Sequence, residues 1–446
     1  RNYIINMFKY AAATLALAGS AMATDQIFSS YFANWAQYHA APYSYTADML
    51  EAQASNLDII NYAFAYFCPD ADQAAAYWVD GDLDLCDGLD PFTLVSPEPA
   101  DEDMYSTVIG FKEQNDDLKV ILSIGGWNFP SAYWSRMAST KEGRAAFIAS
   151  TQDYMDKYGF DGIDIDWEYP NSEPRIDPVK ITCDFFYNVT DEGGDESDGD
   201  NLLLLVQEMR AAYGDDKMIT VCGQAGQPHW EVFPMKEMSD YIDYWNIMSY
   251  DYSVSDIESA NFTAPNMPLY NPASAEDAGV PQWGQNYTVQ GWLEAGVPAE
   301  KMLLGVAFYG HAWYVGSDLE EADWQKFGVA AQIPEEACCG PFQTTYGAKY
   351  GKGCSLCGSM MYSEIVAAGF DLYHDDETNS DIGYLSEDSG DGWTEAGTWV
   401  SFNDKNSVSD IVQYALDNGL AGAFVFDTSM DTIDYDSGEP TYELME

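Results

Sequence analysis

Four carboxylates crowd into the eight residues Asp161-Gly-Ile-Asp-Ile-Asp-Trp-Glu168, and Pro170 closes the run. Side chains alternate faces along a strand with period two. Asp164, Asp166 and Glu168 therefore share one face, while Ile163, Ile165 and Trp167 share the other. Burying unpaired charge is costly, so an ordinary core strand does not carry three acids on one face. Carboxylates this close cannot all ionise freely, and at least one titrates high. A general acid working near neutral pH needs such a shift. Pro170 sets Glu168 at the C-terminal end of the strand, where parallel α/β folds keep their chemistry. Three plainer readings compete. A solvated strand face is one, and the Ile and Trp partners argue against it. A calcium loop would need a Gly after the third acid and lacks it. A chance run in an acidic chain is the third.

The surrounding chain repeats strand and helix. Apolar, strand-like runs fall at 26–35, 57–67, 118–125, 160–167, 218–223, 244–248, 302–307 and 421–426. The third (Leu-Lys-Val-Ile-Leu-Ser-Ile-Gly) is nearly continuous in apolar residues, as a buried parallel strand requires. Helical spacing marks 141–158, 202–213, 289–295 and 408–418, with Gly419 placed as a cap. Eight short strands alternating with helices read as a (β/α)8 TIM barrel. Two segments break the rhythm. Residues 171–200 read as a long, acidic, mobile loop. Residues 314–398 are too long for a loop and predict a small α+β domain inserted between strands 7 and 8. The barrel is then built from 24–313 and 399–446.

The chain has 446 residues, 47% of them hydrophobic, which is ample for one large α/β core plus an insertion. Its 74 acidic and 18 basic residues leave a net charge of -56. That balance argues against nucleic acid and anionic membrane as partners, because both are polyanions. It suits a secreted protein in salty water, where self-repulsion is screened. Met7-Phe-Lys9, the apolar run 11–18 and Ala21-Met-Ala23 have the order of a secretory signal peptide, so 1–23 is set apart from the fold, and 1–6 reads as non-native. No later stretch is long and apolar enough to cross a membrane. A soluble, extracellular, monomeric protein is expected. Eight cysteines favour disulfides in such a chain. Cys68 and Cys86 are a natural pair, while Cys338, Cys339, Cys354 and Cys357 leave zinc open as an alternative. Asn188, Asn261 and Asn286 open glycosylation sequons. The four histidines form no metal-binding helix motif, and no cofactor is expected.

The acidic run resembles the Asp-x-x-Asp-x-Asp-x-Glu signature of glycoside hydrolase family 18, the chitinases. Other segments resemble the family in the same order: Tyr31-Phe-Ala-Asn-Trp35, Tyr62-Ala-Phe64-Ala, Ser123-Ile-Gly-Gly126 with Trp127, Met248-Ser-Tyr250-Asp251, Asn266-Met-Pro-Leu-Tyr270 and Leu304-Gly-Val-Ala-Phe-Tyr309-Gly310. The resemblance spans about 25–430 and implies the subgroup with an α+β insertion. It implies a retaining mechanism without an enzyme nucleophile, in which the substrate's N-acetyl oxygen attacks the anomeric carbon. Glu168 would protonate the leaving oxygen and later activate water. Asp166 would hold the acetamido group, Asp164 would bias the charge of Asp166, and Tyr250 would align the acetamido carbonyl. Met248 and Asp251 would shape the same subsite, with Gly126 and Tyr169 beside them, and Asp161 would be structural. Tyr31, Phe64, Trp127, Tyr309 and Phe426 are candidate sugar platforms, since pyranose faces pack on aromatic faces.

The departures are specific. Phe426 stands where the family commonly has Trp, His311 where it often has Arg, and Tyr-Ser-Val-Ser follows Asp251 in place of a Trp-bearing loop. A smaller floor ring predicts weaker hold on the distorted sugar. The implied partner is chitin or N-acetylglucosamine oligomers. The competing functions are a chitinase-like lectin that binds without cutting and a hydrolase of another N-acetylated glycan.

Overall fold

A computed structural model describes residues 26–39, 41–70, 85–173, 175–182, 185–191, 193–226, 233–254, 261–331, 358–389, 394–434 and 437–445. Eight parallel strands follow the apolar runs: β1 Ile27–Ala33, β2 Ile59–Phe67, β3 Lys119–Gly125, β4 Gly162–Asp166, β5 Met218–Gln224, β6 Tyr244–Met248, β7 Met302–Ala307 and β8 Gly422–Phe426. Each pairs with the next in chain order, and β8 returns to β1 through Ile27↔Gly422 to Ser30↔Val425, so the sheet closes into a barrel. The closed (β/α)8 barrel matches the architecture expected from the alternation.

Period-two alternation sorts the residues of β4 as its sequence requires. Ile163 and Ile165 are wholly buried in the layer between strands and helices. Trp167 continues that face and stacks on Trp134 at 5.8 Å, with planes 11° apart. Trp134 lies in helix α1 Ser131–Ala138, and Ser131 there takes the indole N–H of Trp167 at 2.6 Å. The acids point the other way, into the barrel. Helix α2 Lys141–Tyr158 is capped by Thr140, whose hydroxyl accepts the Gly143 N–H, and ends on left-handed Gly159. Helices α3 Asp198–Tyr213, α4 Gln285–Glu294 and α5 Lys405–Asp417 complete the elements seen in the sequence. Asp404 caps α5 by accepting two backbone N–H groups.

The acidic stretch after β4 differs from the expected loop. Arg175–Thr182 and Phe185–Asp191 form an antiparallel hairpin, and α3 starts four residues earlier than its apolar spacing suggested. The hairpin's Ile, Val, Phe and Tyr content suits strands, and the charge around it masked that signal. Asp198, fully buried, explains the early helix start: it accepts the Ser135 hydroxyl at 2.7 Å and the Asp195 N–H at 2.7 Å.

Between β7 and β8 stands a five-stranded antiparallel sheet in the order Ser359–Met361, Tyr309–Tyr314, Thr398–Phe402, Ser380–Tyr384, Asp371–Asp375. It takes in residues on both sides of 314–398. Trp313, Trp399, Ile382 and Tyr384 form its separate apolar core. Its first strand begins two residues after β7 ends, which carries Tyr309 and His311 to the barrel mouth.

Cys68 and Cys86 are joined in a disulfide. Residues 1–25, Cys183 and the four late cysteines lie outside the described residues. No described helix is long and apolar enough to cross a membrane. Asn286 lies within α4, and its side-chain oxygen accepts the Tyr414 hydroxyl at 2.9 Å, which suits a glycan acceptor poorly. Asn261 is exposed.

Burial pushes the carboxyls of Asp101, Asp427 and Asp431 up to about 6. Asp431 ties the C-terminal segment by accepting the N–H groups of Leu444 and Met445. A folded value above the ordinary carboxylate range of about 3.9 means the folded state binds these protons more tightly. Stability then rises as pH falls through 6 toward 4, and loss of the chain's negative charge works in the same direction. The melting temperature at about pH 5 is expected to exceed that at about pH 7.5 in calorimetric scans. A flat or opposite trend contradicts the assignment.

Candidate active site

Asp164 lies midway along β4 with no exposure to solvent. Four neighbouring strands meet its charge with neutral donors. From β1 the Tyr31 hydroxyl donates at 2.8 Å, from β3 the Ser123 hydroxyl at 2.6 Å, from β5 the Thr220 hydroxyl at 2.5 Å, and from β6 the Asn246 amide at 3.1 Å. Burial raises the Asp164 pKa, and the bonds from Ser123, Thr220 and Tyr31 oppose the rise. With protein donors on both oxygens inside a barrel, this is not a calcium loop. Among the described residues no cluster of three His, Cys, Asp or Glu side chains is arranged for a metal.

Asp166 ends β4, is 4% exposed, and has an oxygen, Oδ1, with no hydrogen-bond partner. Burial raises its pKa well above the ordinary carboxyl range, and the charges of Glu168 and Asp164 add to the rise. Glu168 follows two residues beyond the strand, half-buried, and its charge adds to the rise that burial gives the Tyr169 hydroxyl pKa. The three acids thus run from the barrel core outward to its C-terminal mouth, from fully caged to open. Asp161, at the opposite end of the run, pairs with Lys112 at 2.8 Å and accepts the Val120 N–H at 2.9 Å, a structural post as expected.

The mouth is walled by rings. Phe426, half-buried at the end of β8, has Tyr31, Tyr250 and Trp35 around it at 5.6, 6.2 and 6.5 Å. Tyr250 is 9% exposed and lies 6.1 Å from Tyr309. Burial, with Cys222, Asp166, Asp251 and Glu168 nearby, keeps the Tyr250 hydroxyl protonated. Asp251 accepts the Tyr309 hydroxyl at 2.8 Å and meets His311 Nε2 at 2.7 Å. Asn266 braces that corner by accepting the Asp251 N–H and donating to the Tyr309 carbonyl. Met248 ends β6 and is half-buried. On the opposite side Phe64 stacks on Trp35 at 5.6 Å, and a side chain at Gly126 would strike Phe64 at 2.6 Å. Trp127 is 48% exposed and meets Tyr169 edge-on at 6.5 Å.

Tyr31 is the correction among the candidate platforms. Only 2% of it is exposed, its ring packs under Phe424 and Phe426, and its hydroxyl is committed to Asp164. A buried face holds no sugar. Sequence reading missed Thr220, Cys222 and Asn246, which reach Asp164 across the barrel interior. Their signal was present as small or polar residues at alternate positions of otherwise apolar strands. Trp35 was visible only as part of the first-strand motif.

The closed (β/α)8 barrel thus carries graded acids at the C-terminal end of β4 with aromatic rings above them. Residues 27–431 match the model of glycosyl hydrolases family 18, and the chain belongs to that family. It is 28% identical to Chitotriosidase-1 of Mus musculus over 77% of this chain and 65% of that protein. It is 26% identical to Probable chitinase 2 of Drosophila melanogaster over 94% of this chain and 75% of that one. The chain thus spans about two thirds to three quarters of these relatives' lengths. In fold it is similar to Group IV chitinase of Ostrinia furnacalis solved with allosamidin, with a TM-score of 0.71, 24% identity and coverage of 94% and 97%. It is also similar to a human pseudo-chitinase with retained chitooligosaccharide binding, with a TM-score of 0.69, 20% identity and coverage of 94% and 97%.

Tyr31→Phe keeps the ring and removes one donor from a fully buried carboxylate. Urea unfolding at neutral pH is expected to show a loss of about 1–3 kcal/mol. An unchanged midpoint would mean that the Tyr31 hydroxyl does not support Asp164.

Proposed function

We propose that this chain is a secreted chitinase that hydrolyses β-1,4 bonds between N-acetylglucosamine units with retention of configuration. The carrying observation is the graded acid run: a caged Asp164, a buried Asp166 with an unpartnered oxygen, and Glu168 at the open mouth. Family membership and the chitinase relatives support the substrate class. The leader-like 1–23 and the net charge of -56 support secretion.

In this reading Glu168 gives its proton to the glycosidic oxygen as that bond breaks. The acetamido oxygen of the same sugar bonds to the anomeric carbon and forms an oxazolinium ion. Asp166 accepts the acetamido N–H and its charge steadies the cation, a task that requires this carboxylate to be ionised beside two other acids. Glu168, now a carboxylate, takes a proton from water as the water oxygen bonds to the anomeric carbon and the acetamido oxygen leaves. Attack from within the substrate supplies proximity worth on the order of 7–11 kcal/mol in favourable cases. Tyr250 donates to the acetamido carbonyl, and Phe426 floors the subsite.

Purified protein incubated with N-acetylglucosamine oligomers is expected to release shorter oligomers with the β-anomer first. Glu168→Gln keeps the shape and loses the proton, so turnover is expected to fall by about 10²–10⁴ while oligomer binding persists. Wild-type binding without cleavage would favour the lectin reading, and equal cleavage by both proteins would remove Glu168 from the acid role. Trp127, half in solvent, is not part of the core. Trp127→Ala is expected to raise KM several-fold, a loss of about 1 kcal/mol of ring contact, with the melting temperature unchanged. An unchanged KM would take Trp127 off the substrate path.

A further inference from the structure

β4 ends at Asp166, whose carbonyl takes the Gly126 N–H of the neighbouring strand's end at 2.9 Å. Trp167, Glu168 and Tyr169 lie beyond the strand, so the ladder does not fix the acid at the mouth. A reacting group has to be held within about 0.5 Å of its productive place by the residues behind it. One buried hydroxyl meets this segment from both sides. Ser131, the first residue of α1, has no exposure to solvent. It accepts the Trp167 indole N–H at 2.6 Å and donates to the Tyr169 carbonyl at 2.7 Å. A hydroxyl can do both at once, because it carries one donor and two lone pairs. The residue before Glu168 and the residue after it are thereby joined through a single oxygen.

The helix that carries Ser131 is itself well anchored. Trp134, one turn on, stacks on Trp167 and has Phe67, Phe129 and Phe147 edge-on around it at 5.0, 6.1 and 5.6 Å. The Ser131 oxygen therefore sits on packed core, and what it holds is held firmly. We propose that Ser131 is a positioning residue of the hydrolysis, whose hydroxyl clamps both neighbours of Glu168 and so fixes where the Glu168 carboxyl stands at the mouth. It acts through Trp167 and Tyr169 and touches no sugar. The inference rests on the chitinase reading above.

The barrel contains its own control. Ser239, 2% exposed, accepts the Trp245 indole N–H at 2.9 Å and donates to the Met235 carbonyl at 2.7 Å. This is the same pair of bonds, made to β6, two strands along the sheet from β4. Ser239→Ala thus removes from the folded state the groups that Ser131→Ala removes, away from the Glu168 segment. On N-acetylglucosamine oligomers Ser131→Ala is expected to lower kcat about 10-fold or more with KM within about twofold of wild type, because a displaced acid slows bond breaking and leaves the sugar contacts in place. Ser239→Ala is expected to lower the melting temperature by a similar amount and to keep the wild-type kcat. Ser131→Thr retains the hydroxyl and is expected to keep most of the wild-type kcat. Equal kcat losses in the two alanine variants, an unchanged kcat in Ser131→Ala, or a threonine variant as slow as alanine overturns the proposal. Hydrogen exchange of the Trp167 indole in tryptophan-labelled protein gives a readout that needs no substrate. Slow exchange in the wild type and faster exchange in Ser131→Ala are expected, and equal rates overturn the clamp. A wild type that cleaves nothing would remove the chitinase reading itself, a result distinct from turnover that survives loss of the hydroxyl.

Discussion

A carboxylate with no access to water has to be met by donors or it does not stay charged. Asp164 is such a group, and its donors come from β1, β3, β5 and β6. β3 and β5 flank β4 directly, while β1 is brought within reach by closure of the sheet, sealed where β8 meets β1. The barrel and the acid cage are therefore one structure. Loosening any of the four strands would strand a charge, and removing the charge would leave buried hydroxyls and an amide short of an acceptor. The donors around Asp164 are tolerated in the interior because each is paired with its carboxylate.

Satisfaction falls off along the strand from core to mouth. Asp164 is fully met, Asp166 keeps an unpartnered oxygen, and Glu168 is only half-buried. Electrostatics follow the same order: burial dominates at the bottom, and mutual repulsion joins it higher up. An oxygen left over in such a run can accept a donor from outside the protein. The structure leaves it at the middle acid, where a substrate entering from the mouth would arrive.

Much of this was legible in the residues because one period governed it. Alternation in β4 separated acids from Ile and Trp, and β6 and β7 begin and end where their apolar runs do. Other features rest on contacts between distant segments, which periodicity does not encode. Tyr31 reads as an aromatic for stacking until the fold buries it under Phe424 and turns its hydroxyl on Asp164. Cys222 reads as one of eight cysteines until β5 is set beside β4. The hairpin 175–191 was hidden because charged residues near it outweighed a short β-branched and aromatic signal. The partnership of His311 with Asp251 joins two sheets 60 residues apart in sequence, and no local pattern announces it.

That partnership has a consequence for how the family could diversify. The far wall of the mouth is not a loop hung on the barrel; it is the first strand of the second sheet, clamped by Asp251 and Asn266. Changes deep in that sheet, even around Trp313 and Trp399, would be passed along the shared strand to Tyr309 and His311. Selection acting far from the mouth could in this way reshape its far wall, leaving the acids of β4 untouched.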